Sequence, residues 1–177
     1  ILAAQNSGVT PLVRTRDSNR SSVLKMLDIG AGGLVVAYIK TVEEVERLIE
    51  YTRYAPLGNR GYATAMRANG FGFQTFAKDL TEYYAISNRE TLILPQCETM
   101  GCYENIDTIA AMEGVDGIFV GPYDLSIALG IPGQMDNPLL EEAIANIKEA
   151  IEGYVLVLKE DGLPVPEERF EAMLLAV

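Results

Sequence analysis

The chain has 177 residues, 49% of them hydrophobic, enough for one domain with a sizeable core. Fourteen basic against twenty-five acidic residues leave a net charge of −11, which repels polyphosphate backbones and anionic headgroups and argues against nucleic-acid and membrane partners. Two cysteines, Cys97 and Cys102, make no disulfide framework or metal finger, and no apolar run approaches the roughly 18 residues of a membrane span, so a cytoplasmic location with buried thiols is expected.

The chain opens Ile-Leu-Ala-Ala, without Met, and holds no histidine; both suggest a piece of a longer protein. In chain order, Val9 to Arg14 predicts a short strand ending in a charge, and Ser21 to Ile29 a helix with Val23, Leu24, Met26 and Leu27 apolar and Gly30 stopping it. Gly33 to Ile39 is an apolar run suited to a strand buried on both faces. Thr41 then opens a helix with Glu44 three residues on, a capping box, and Val42, Val45, Leu48 and Ile49 make its inward stripe. From Tyr54 to Gly72 the periodicity breaks into Pro56, Gly58, Gly61, Gly70 and Gly72 interspersed with Arg53, Arg60 and Arg67, a long loop of the kind that is usually functional or mobile.

Asp79 to Asn88 predicts a helix, Thr91 to Cys97 a strand, Met100 to Met112 a helix and Gly117 to Val120 a strand. Asn137-Pro138 is a cap and first-turn signal for a helix through Leu139, Leu140, Ala143, Ile144, Ile147 and Ile151. Tyr154 to Leu158 reads as a further strand and Glu167 to Ala176 as a further helix. Alternating strands and helices argue for an α/β fold with a parallel sheet and right-handed crossovers. About five strands are expected, fewer than the eight of a (β/α)8 barrel.

The chemistry concentrates at two strand ends. Glu98 follows the apolar run Thr91 to Cys97, and Asp124 follows Gly117 to Val120 within Gly121-Pro122-Tyr123-Asp124-Leu125-Ser126. Residues at the carboxyl ends of parallel strands line a common site, and two carboxylates there can share one hard cation. The bland alternative is that both cap turns.

The segments Pro11-Leu12-Val13-Arg14, Met26-Leu27-Asp28-Ile29-Gly30-Ala31, Tyr54-Ala55-Pro56-Leu57-Gly58-Asn59-Arg60-Gly61, Gln96-Cys97-Glu98-Thr99 and Gly121-Pro122-Tyr123-Asp124-Leu125-Ser126 stand in an order that closely resembles the HpcH/HpaI aldolase family, over about residues 8 to 150. The family includes the bacterial 2-keto-3-deoxy sugar-acid aldolases, and fungal macrophomate synthase is similar. The resemblance implies a parallel (β/α)8 TIM barrel, here an incomplete piece lacking N-terminal strands and the last strand, with residues 1–153 as partial barrel and 154–177 as a divergent tail.

It also implies a class II pyruvate aldolase, a carbon–carbon lyase. Such an enzyme cleaves 4-hydroxy-2-oxo acids to pyruvate and an aldehyde through a metal-stabilised enolate, and assembles as a homo-hexamer. On the same basis Glu98 and Asp124 match the ligands of Mg²⁺, Mn²⁺ or Co²⁺, and Arg14 matches the arginine on the keto oxygen. Gln96 matches a glutamine near the substrate, or else a buried amide holding the strand end. Backbone amides from Gly121 through Pro122, Tyr123 and Asp124 to Leu125 match the substrate-carboxylate site. Asp28 matches the aspartate of a base dyad whose histidine this chain does not contain, or else a helix-end carboxylate. The loop with Arg60 and Arg67 would shape the mouth of the site and subunit contacts.

Some residues depart from the family pattern. Val36-Ala37-Tyr38-Ile39 lacks the usual proline, Pro95 falls inside a strand where it removes a ladder hydrogen bond, and the likeness fades after about Gly153. A citrate-lyase or malyl-CoA-type lyase shares the barrel and the carboxylate pair but needs basic residues for coenzyme A phosphates. A phosphoenolpyruvate mutase relative needs more acidic ligands, and a truncated barrel without catalysis also fits the missing base.

Overall fold

Leu12–Thr15, Gly33–Val36, Leu92–Cys97 and Phe119–Val120 form strands β1 to β4 of one parallel sheet, laid side by side in the order of the chain. The structure is a computed structural model that describes residues 1–73, 76–162 and 165. Helices α1 (Leu2–Asn6), α2 (Arg20–Asp28), α3 (Val42–Thr52), α4 (Leu80–Glu90), α5 (Met100–Glu104), α6 (Ile106–Ala110), α7 (Pro122–Ala128) and α8 (Pro138–Glu160) complete it. A doubly wound sheet reverses its strand order part-way. Here every crossover advances in one direction, as in an arc of a barrel, and the helices collect on one face.

That face holds the core. Leu34, Val36, Ile93 and Cys97 meet Val23 and Leu27 of α2, Val45 and Leu48 of α3, Ile109 of α6, and Leu140 and Ile147 of α8, each large apolar side chain contributing about 1.5–3 kcal/mol by burial. Alternate residues point the other way. The register aligns Leu12 with Gly33 and Leu92, Arg14 with Val35 and Leu94, and Gln96 with Phe119. No helix covers that second face among the described residues, and Leu12 and Phe119 remain 47% and 43% exposed.

Local chemistry sets the helix boundaries. Thr41 Oγ1 accepts from Glu44 N at 3.3 Å, while Glu44 Oε2 accepts from Lys40 N at 2.7 Å, so the box closes one residue earlier than the sequence implies. Asp79 and Glu82 repeat the device at α4, with Asp79 Oδ1 on Glu82 N and Glu82 Oε2 on Lys78 N. The predicted helix 100–112 breaks at Asn105, whose φ of −111° leaves the helical range and whose Nδ2 donates to Gly101 O.

Two expectations change. The predicted strand at Tyr154 to Leu158 is the last part of α8, because the apolar spacing through Leu140, Ala143, Ile147 and Ile151 runs on in phase and nothing interrupts it before Asp161. Leu156 and Val157 are exposed there rather than paired, so four strands are described, not five. The strand from Gly33 stops at Val36, since Tyr38 turns to φ +62°. Pro95 does sit in β3, but β4 begins pairing only at Gln96, past the proline. The predicted helix Glu167 to Ala176 lies outside the described residues, and α1 was not foreseen.

One buried cation fastens the sheet from behind. Arg53, just after α3 and 1% exposed, donates to the carbonyls of Asn88, Thr91 and Gly114 and to the Asp116 carboxylate. It thereby ties the approaches to β3 and β4 to the end of α3.

Candidate functional site

All four strands deliver a residue to the same edge. Arg14 and Thr15 end β1, Ala37 and Tyr38 follow β2, Glu98 follows β3 and Asp124 follows β4, and together with Arg16 they line an open cleft of about 480 Å³. This is the carboxyl edge of the sheet, where a barrel carries its chemistry.

Glu98 is the centre of the group. It is 3% exposed, its Oε1 accepts from the Tyr38 backbone N–H at 2.7 Å, and its Oε2 accepts from Gln96 Nε2 at 2.5 Å. Gln96 is itself buried, and its Oε1 accepts from Arg14 Nε at 2.8 Å. One amide therefore fixes both the carboxylate and the guanidinium, leaving Arg14 Nη2 3.6 Å from Glu98 Oε2 with its side chain 57% exposed to the cleft. Gln96 is thus a buried amide at the strand end that links two of the cleft residues.

Asp124 lines the same cleft as Glu98, and its carboxyl helps raise the Glu98 pKa. Burial first, and then this neighbouring carboxyl, hold Glu98 above its ordinary pKa, against the Tyr38 N–H and Arg14, which pull it down. Two adjacent carboxylates with one arginine nearby are under-neutralised.

Gly121 makes the approach possible. A Cβ there would lie 2.6 Å from Gln96 Nε2 and 2.8 Å from Glu98 Oε2, so only glycine lets the Pro122–Asp124 turn close on Glu98. These residues fit a hard divalent cation: two oxygen anions, one buried and oriented by a backbone amide, with space in front of them. Among the described residues no group of three or more Asp, Glu, His or Cys is placed to hold a metal ion, so water and substrate oxygens would fill most positions, as suits an octahedral ion such as Mg²⁺.

The predicted anion site at Gly121 to Leu125 narrows. Gly121 N donates to Cys97 O and Leu125 N to Gly121 O, while Pro122 has no N–H. The first-turn amides of Tyr123 and Asp124 lack intrahelical acceptors, and the Leu125 side chain belongs to the core.

Asp28 is not brought to this group. It ends α2, ahead of β2, and its Oδ1 accepts from Arg60 Nη2 at 3.1 Å, which places it at the opposite, amino edge of the sheet. Arg60 and Arg67 share that edge, so the three form no part of the carboxylate cleft. Sequence reading missed Tyr38, whose left-handed backbone aims an N–H at Glu98. A non-glycine residue at positive φ costs of order 1–3 kcal/mol and is concentrated at functional sites, but the letters Ala-Tyr-Ile do not announce it.

The HpcH/HpaI aldolase/citrate lyase family model matches residues 1–154. A 5-keto-4-deoxy-D-glucarate aldolase of Escherichia coli O139:H28 is 40% identical over 147 residues, which are 83% of this chain and 55% of that protein. Among solved structures, citrate synthase SbnG is similar over 96% of this chain and 61% of its own, with TM-score 0.75 and 28% identity. The HpcH/HpaI aldolase from Desulfitobacterium hafniense DCB-2 is similar over 92% of this chain and 58% of its own, with TM-score 0.69 and 31% identity. The chain spans about half the length of the curated relatives it matches. Its four-stranded sheet is an arc of the barrel-type fold of these aldolases.

Proposed function

The chain belongs to the HpcH/HpaI aldolase/citrate lyase family, and from that premise we propose that it carries the metal and substrate half of a carbon–carbon lyase site acting on 4-hydroxy-2-oxo acids. The observation that supports this most directly is the buried Glu98 carboxylate, held by Tyr38 N–H and Gln96 with Asp124 beside it.

Glu98 and Asp124 would hold a divalent cation, Mg²⁺, Mn²⁺ or Co²⁺. When bound, the ion supplies Lewis-acid polarisation of the substrate's 2-oxo group. The chain's own residues do the rest. Arg14, its Nε spent on Gln96, presents its remaining donors to the keto oxygen, where charge develops as the C3–C4 bond breaks. The electron pair of that bond moves toward C2, giving pyruvate enolate, while the C4 hydroxyl loses its proton and C4 becomes the aldehyde. Protonation at C3 completes pyruvate. The free amides of Tyr123 and Asp124 would take the substrate carboxylate. The base for the C4 hydroxyl comes from outside this group, since the chain has no histidine and Asp28 faces Arg60 at the other edge.

The test is exchange of pyruvate methyl protons into deuterated water. Exchange that needs Mg²⁺ or Mn²⁺ and falls at least about a hundredfold in Glu98→Gln or Asp124→Asn supports the reading; exchange that persists without metal, or in both variants, overturns it. The likeness to a citrate synthase favours a second reading, condensation of an acetyl donor with an oxo acid. Exchange of acetyl-CoA methyl protons instead of pyruvate's would select it.

A further inference from the structure

We propose that Lys40, held over the Tyr38 ring, is a specificity-determining residue of the Glu98 cleft and recognises a carboxylate at the end of the substrate remote from its 2-oxo group. The inference rests on the proposed function and adds which 2-oxo acids the cleft prefers.

Tyr38 carries a side chain where glycine would be easier. Its backbone lies at φ +62°, a conformation that glycine adopts at no steric cost, and its N–H donates to Glu98 Oε1 at 2.7 Å. Glycine would supply the same amide without the strain, so the amide alone does not account for a tyrosine at this position. The ring is 61% exposed and lines the cleft with Arg14, Glu98 and Asp124.

Lys40 Nζ lies 4.3 Å from the centroid of that ring, a cation–π contact. The backbone beneath the pair is pinned at three successive residues. Tyr38 N–H donates to Glu98, the Ile39 carbonyl accepts from the Thr99 hydroxyl, and Lys40 N–H donates to Glu44 Oε2 at 2.7 Å. Ring and ammonium therefore stand beside the cleft before any ligand arrives, which lowers the ordering cost of using them.

The other cations of the cleft are engaged. Arg14 Nε donates to Gln96 and its Nη2 faces Glu98, while Arg16 Nε donates to Asp17 Oδ2 at 3.2 Å. Lys40 is exposed, and among the described residues its ammonium has no carboxylate within ion-pairing distance, although the chain carries −11. A single ammonium is a point charge that matches one carboxylate rather than a phosphate dianion. With the 2.7 Å and 4.3 Å contacts at either end of the tyrosine side chain, Lys40 Nζ stands at most about 12 Å from Glu98 Oε1. A 2-oxo acid of about six carbons, its 2-oxo end at Glu98 and Asp124, covers such a span.

The experiment is calorimetric titration of the full chain in Mn²⁺ with pyruvate, 2-oxoadipate and 2-oxohexanoate, the last two alike in chain length and different only in the far carboxylate. 2-Oxoadipate should bind at least about fivefold tighter than 2-oxohexanoate. That ratio should fall to about twofold or less in Lys40→Met, and below about threefold in Tyr38→Gly, which keeps the left-handed backbone and the amide but not the ring. A merely structural role for either residue would change both affinities together and leave the ratio intact. Pyruvate separates the two readings. If pyruvate does not bind in Mn²⁺, the proposed function fails and this inference with it. Pyruvate binding with a ratio near one, or with a ratio that survives Lys40→Met or Tyr38→Gly, overturns this inference alone.

Discussion

The surroundings of Glu98 favour its neutral form. Its carboxyl is buried beside Asp124, and the Tyr38 N–H, Gln96 and Arg14 compensate only in part. Held above its ordinary value of 4.5, it binds its proton more tightly folded than unfolded, so stability is lost as pH rises from 4.5 through the raised value. A divalent cation held by the ionised pair would remove that loss. Mn²⁺ should therefore leave the melting temperature unchanged below the ordinary carboxylate value and raise it increasingly toward neutrality, an effect absent in Asp124→Asn; thermal melts at several pH values with and without the ion check this. Gly121 offers a sharper residue-scale test. A Cβ placed 2.8 Å from Glu98 Oε2 must push the carboxylate or the Pro122 turn aside, and Gly121→Ala should weaken Mn²⁺ binding about 10–100-fold, read by calorimetry, while the far-UV spectrum stays unchanged.

At the scale of elements, the site depends on how strand ends are held rather than on the strands themselves. The β4 strand is two residues long and pairs with β3 through Gln96 and Cys97 alone, too little to place Asp124 by ladder bonds. Arg53 makes up the difference from behind, since its guanidinium grips Asp116 and the Gly114 carbonyl ahead of β4 and the Asn88 and Thr91 carbonyls ahead of β3. Lysine offers a point charge where five forked donors are used. Arg53→Lys should cost about 3 kcal/mol or more, seen as a lower urea midpoint, and should weaken Mn²⁺ binding although no metal ligand is touched. At the start of β3, Asp116 Oδ2 also accepts the Ile93 N–H, so the same cluster sets the register between the two strands that deliver the carboxylates.

Across the whole molecule the sheet has two unlike faces. The helix-covered one is packed from Val23 to Ile147; the other shows Leu12 and Phe119 to water, on the side a closed barrel would bury. Among the described residues β1 and β4 are open edges, which add unpaired backbone groups. The chain of 177 residues should self-associate with concentration, and Leu12→Ser with Phe119→Ser should raise the monomer fraction in light scattering with little change in helix content. A sharp, concentration-independent melt of the unsubstituted chain would contradict this.

Local signals decided much of this protein before any fold was known. Short apolar runs marked β2 and β3, Thr41, Asp79 and Asn137 marked helix starts, and five motifs in order identified the family, because each of these is written within a few neighbouring residues. Carboxylates after two apolar runs already pointed to Glu98 and Asp124 meeting at one edge of the sheet. Tertiary structure alone decided that Gln96 joins Arg14 to Glu98, that Tyr38 donates its backbone N–H, and that Asp28 turns to Arg60 at the far edge. Those facts depend on contacts between residues far apart in the chain, and on backbone direction at strand ends. Neither leaves a mark in the letters, because the same residue types satisfy their hydrogen bonds equally well with other partners until packing brings one partner within reach.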